Sequence, residues 1–153
     1  MIPHKQRFRH DPDNGVWGDC WRTAIACLFD LEPGDVPHFG DGGPSGDEMG
    51  ARVDAWLKEQ GCHRVMLAFP AELDDVLRTV GYYNPNAWYL LTGRSRTGVD
   101  HVVICRNNKI EHDPSLDDAG IVGPGTDDVY WVEFVGGPQG IAPKQSSVEG
   151  DSK

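Results

Sequence analysis

The sequence predicts an α+β domain in which helices come first and an antiparallel sheet follows. Two observations carry that expectation. Apolar residues fall at helical spacing in the first half, where Gly- and Pro-rich punctuation breaks them into short segments. Beyond Tyr82 they gather instead in short β-branched and aromatic runs separated by Gly, Asn, Ser and Asp. A length of 153 residues suits one domain with a real core, placed here at residues 1–136.

Taken in order, Ala24, Ile25, Ala26, Cys27 and Leu28 are dense enough for a buried helix over 20–29, which Pro33, Gly34 and Pro37 stop. The stretch "HFGDGGPSGD" is a loop by composition. Ser45 and Glu48 have the spacing of a capping box, and Met49, Val53, Trp56 and Leu57 then share one helical face until Gly61. "RVMLAF" predicts a strand. Pro70 opens a helix running to Val80, with Leu73, Val76, Leu77 and Val80 inward. The segments "AWYLLTG", "VDHVVICR", "KIEHDP" and "VYWVEFV" predict the remaining strands. From residue 137 the tail "GPQGIAPKQSSVEGDSK" has little to bury and predicts disorder.

A net charge of −10 argues against nucleic acid as a partner. Lys5, Arg7 and Arg9 form a small basic patch that reads as solvated surface on an N-terminal arm expected to be mobile. No apolar run approaches the roughly 18 residues that span a bilayer. The start lacks the apolar stretch of a secretory signal, so a cytoplasmic protein is expected. Four cysteines without a CxxC pair fit reduced thiols better than a disulfide framework.

In "GVWGDCWRTAIACLFDL", Cys20 stands where a Gly-rich turn meets the first helix. The helix dipole and free amides there stabilise a thiolate, but cysteine is equally at home as a small buried hydrophobe. A nucleophile also needs a base held by an acceptor. His101 and His112 are the histidines of the β-rich half, in "DHVVICRNNKIEHDP". Read as a hairpin with the three-residue loop Arg106-Asn107-Asn108, this stretch sets His101 beside Asp113. A two-residue Asn-Asn loop instead brings His112 to the face of His101, and two-residue periodicity forbids both. The three-residue loop is favoured, because a carboxylate would fix the imidazole tautomer. A strand histidine with a polar neighbour is the plainer alternative.

The stretch "GDCW", the later "HVVI" and the acidic residue on the following strand resemble the papain-like cysteine peptidases in residue type and chain order. The hairpin is similar to those of bacterial cell-wall endopeptidases and bacteriocin-leader peptidases. The combination also resembles small papain-like proteins of bacteria and phages. It covers about residues 14–135. The resemblance implies a papain-like fold and a thiol hydrolase, with Cys20 as nucleophile, His101 as general base and Asp113 as orienting residue. Asn14 falls where the family places a glutamine that helps bind the oxyanion, and Asp13 and Asp19 depart from the family pattern. A peptide or protein substrate is implied, with no cofactor and no metal.

The acidic segment "SLDDAGIVGPGTDD" is read as a mobile rim that would favour a basic peptide. Other readings remain open. A zinc site could draw on His101, His112, Asp113 and a cysteine, although residues 112 and 113 face opposite ways on a strand. A deamidase or transglutaminase could use the same triad, and a papain-like shell could bind a partner without turnover. Oligomeric state and natural substrate are not encoded in these patterns.

Overall fold

A computed structural model describes residues 1–137; the tail expected from residue 137 onward lies, but for Gly137, outside the described residues. The fold is mixed α+β. Its elements are α1 (Cys20–Leu28), α2 (Gly46–Glu59), β1 (His63–Phe69), α3 (Leu73–Tyr83), β2 (Trp88–Arg94), β3 (Asp100–Arg106), β4 (Lys109–His112) and β5 (Tyr130–Gly136). The five strands form one antiparallel sheet in the order β1-β5-β2-β3-β4, so β5 pairs between β1 and β2.

Strand alternation sorts the apolar residues onto two faces. Leu90, Val102, Ile104 and Val135 pack with α1 and α2. Tyr89, Leu91, Val103, Cys105 and Val132 pack with Val76, Leu77 and Val80 of α3. Every residue of α1 from Thr23 to Leu28 is buried, which is why the helix lacks a polar stripe. The capping box of α2 forms as its sequence requires: Ser45 Oγ accepts from Glu48 N–H, and Glu48 Oε2 accepts from Ser45 N–H.

Helix α3 is displaced from its predicted span of 70–80. Ala71 and Glu72 remain outside it, with Glu72 extended at ψ 149°, so the helix begins only at Leu73. It runs through Gly81 because that glycine lies flat against the β3–β4 turn. A Cβ there would sit 2.3 Å from the carbonyl carbon of Asn107.

The β3–β4 turn corrects the expected loop length. Arg106 pairs with Lys109, leaving the two-residue loop Asn107-Asn108, with Asn107 left-handed at φ 53°. Tyr89 Oη–H donates to Asn107 O, and the Asn107 side chain accepts from Asn86 N–H, so two neighbouring segments fix the turn. The strand then departs from simple alternation. Cys105 pairs with Ile110 but Ile104 pairs with His112, so Glu111 is an extra, bulged residue. The bulge returns Asp113 to the side that a regular two-residue hairpin would have denied it.

The N-terminal segment is likewise no loose arm. His4 O accepts from His112 Nε2, Gln6 N–H donates to Pro114 O, and the Arg7 and Phe8 amides both donate to Asp19 Oδ1. Lys5 and Arg9 pair with Asp118 and Asp117. Two of the three basic residues of the patch and half the aspartates of the expected acidic rim therefore pair with each other.

Candidate active site

Cys20 is the first residue of α1, and its side chain is partly exposed. The residue before it is chemically suited to cap the helix, yet α1 has no side-chain cap. Asp19 is 1% exposed, and its carboxylate turns to the N-terminal segment. Oδ1 takes the Arg7 and Phe8 amides, while Oδ2 takes Arg22 Nη2 at 2.6 Å. The negative charge beside Cys20 is thus committed, and the first-turn amides of α1 are left without a side-chain acceptor.

His101, at the start of β3, is buried and hydrogen-bonds to Asp113. Nε2 lies 2.7 Å from Asp113 Oδ1. Cys20 is the ring's other ionisable neighbour, and its influence favours the charged imidazole. Burial alone would discharge the imidazolium. The bonds and charges of Asp113 and Cys20 outweigh it and raise its pKa to about 9.

Asp113 is itself firmly held. Oδ1 also accepts from Ser115 N–H at 2.8 Å, and Oδ2 accepts from Gly120 N–H at 2.7 Å. Gly120 adopts φ 68°, a left-handed conformation natural for glycine. Burial opposes ionisation of this carboxyl, but the His101 bond and the two amides prevail and hold it well below the usual carboxylate range.

The structure thus brings Cys20, His101 and Asp113 together. Asn14 stands apart: it ends an exposed 3-10 turn and donates its side-chain amide to Asp11 Oδ2 at 2.7 Å. Asp13 shares that turn. His112 faces away from Asp113, toward His4. Among the described residues, no group of three His, Cys, Asp or Glu side chains is placed to hold a metal ion. All four cysteines are free thiols.

Cys20 opens into a cavity of about 660 Å³. Trp17, Trp21, His38 and Met49 line it from the helical side, and Met66, Thr92, Trp131 and Glu133 line it from the sheet. His38 donates from Nε2 to Trp17 O and stacks on Phe8. Glu133 is 1% exposed and accepts from Arg64 Nη1 at 2.8 Å. Neither Glu133 nor Thr92 stands out in the sequence as a site residue. The available signal was one glutamate in the apolar run "VYWVEFV", on the face shared with Trp131 and Val135.

Comparison with known proteins returns no matching family model, no matching curated protein and no matching solved structure.

Proposed function

We propose that this chain is a cysteine-dependent hydrolase of papain-like arrangement, acting on peptide or protein amides through an acyl-enzyme. The observation that carries this reading is the relay from Cys20 to His101 to Asp113, in which both neighbours of the imidazole are suited to catalysis. His101 takes the Cys20 proton, and the sulfur adds to the carbonyl carbon. The uncapped amides of the first α1 turn receive the oxyanion. His101 then gives its proton to the departing amine, and a water molecule hydrolyses the thioester to restore the thiol. Asp113 keeps the ring oriented and stabilises the imidazolium throughout.

Alkylation with iodoacetamide followed by peptide mapping tests the reading, with Cys62 as the internal comparison because it is also a partly exposed free thiol. At pH 6.5 Cys20 should react about tenfold faster than Cys62, and His101→Ala should erase most of that advantage. Equal rates for the two thiols in the unaltered protein would sink the hydrolase reading.

A further inference from the structure

We propose that the sheet side of the Cys20 cavity, formed by Thr92, Trp131 and Glu133, is a specificity pocket for a cationic side chain, lysine or arginine, of the bound peptide. This deepens the hydrolase reading and rests on it for the identity of the bound chain. The strand register puts the three residues together: Thr92 pairs with Trp131, and Leu90 pairs with Glu133. Trp131 and Glu133 are two apart on β5 and therefore share a face.

What this wall offers is acceptors. Thr92 is 8% exposed, and its Oγ1 is buried without a hydrogen-bond partner. Glu133 gives only Oε2 to Arg64; no donor among the described residues reaches Oε1. Besides Asp19, whose carboxylate is turned to the N-terminal segment, the cavity is lined by four carboxylates (Asp47, Asp100, Asp127 and Glu133) against two guanidiniums. Both guanidiniums are already committed, Arg22 to Asp19 and Arg64 to Asp54 and Glu133. Anionic guests are therefore disfavoured, whereas an ammonium or guanidinium supplies the missing donors and charge.

The walls suit the same guest. Trp21 and Trp131 present aromatic surface to the stem and charge of such a side chain. Trp131 is held by its Nε1–H donating to Asp127 Oδ2 at 2.7 Å. Arg64 already lies 5.8 Å from the centre of the Trp21 ring, so this cavity accommodates one cation over an aromatic face in its own structure. Burial pushes the Glu133 carboxyl up to about 7 despite Arg64, consistent with a carboxylate that one cation leaves incompletely compensated. The cavity volume of about 660 Å³ admits a long side chain with its flanking backbone.

The test uses the full chain carrying Cys20→Ala. Four N-acetyl peptide amides, differing only in a central Lys, Arg, norleucine or Glu, are titrated by tryptophan fluorescence. The Lys or Arg peptide should bind about tenfold more tightly than norleucine, equivalent to roughly 1.4 kcal/mol. Thr92→Val should weaken the cationic peptide about threefold and leave norleucine unchanged. Glu133→Gln should remove most of the discrimination; should it unfold the protein by stranding Arg64, Thr92→Val still decides. Norleucine or Glu binding as tightly as Lys and Arg overturns the pocket, as does no binding of the cationic peptides at millimolar concentration. Iodoacetamide labelling of the unaltered protein separates the two ideas. Fast Cys20 labelling without a charge preference refutes only the pocket, and a charge preference with slow Cys20 labelling refutes only the hydrolase.

Discussion

Asp113 explains why a carboxylate, and not an amide, occupies this position. Both of its oxygens receive N–H donors: His101 and Ser115 on Oδ1, Gly120 on Oδ2. An asparagine would turn its own NH2 toward one of them, whichever way it flipped. Asp113→Asn should therefore cost about 1.5–3 kcal/mol despite near-identical shape, read as a lower midpoint in urea unfolding. The pair also shapes stability against pH. His101, raised from 6.5 to about 9, contributes stability that is full below about 6.5 and disappears as the pH rises through 9. Asp113, depressed below its ordinary value of 3.8, contributes stability that is present above that value and is lost as the pH falls further. Unfolding midpoints should fall on both sides of a window of roughly pH 4 to 6.5, and His101→Gln should flatten the alkaline side. That Asp113 could meet His101 was legible from their places on successive strands, although the bulge that brings them together was not. The roles of Ser115, Gly120, Glu133 and Thr92 were not: a backbone amide has no sequence letter, and nothing along one strand tells which residue its neighbour presents.

At the scale of elements, the β3–β4 hairpin shows how a right pairing can be reached by another route. The sequence-based reading assumed unbroken alternation and so chose a three-residue loop to bring Asp113 across. The chain instead uses the Asn107-Asn108 loop and places Glu111 as a bulge. Parity is changed twice and the side chains meet. A bulge leaves little mark in the sequence, because it depends on the partner strand and on contacts such as Tyr89 with Asn107. The same contacts make α3 sensitive at Gly81. Alanine is favoured over glycine in a helix by about 1 kcal/mol, yet here its methyl would meet the Asn107 carbonyl carbon at 2.3 Å. The clash should win. Gly81→Ala is expected to destabilise by about 1–3 kcal/mol, visible as an earlier thermal transition. A gain in stability would show that the turn yields readily.

Across the whole molecule, the order of helices and strands followed from periodicity, whereas the central position of β5 did not, since pairing between distant strands leaves no local pattern. No helix among the described residues is long and apolar enough to cross a membrane. The largest departure from expectation is the N-terminal segment, which was expected to be mobile but whose exposed Lys5 and Arg9 pair with a loop more than a hundred residues away. Removing residues 1–9 should uncover Asp19, which loses two backbone donors and keeps only Arg22. The expected cost is at least about 1.5–3 kcal/mol. Cys20 should then lose its alkylation advantage even where circular dichroism still shows folded protein, and retention of that advantage would limit the segment to a stabilising role.

That segment also sets the order of events when the chain is made. Residues 4–6 settle on His112 and Pro114, which leave the ribosome some 108 residues later. At about 5–20 residues per second, the segment waits on the order of ten seconds for its partner. Until then the segment that supplies the two amides of Asp19 lacks its far anchor, and Cys20 has neither His101 nor Asp113 until β3 and β4 exist. The chemistry proposed for Cys20 therefore waits on completion of the fold.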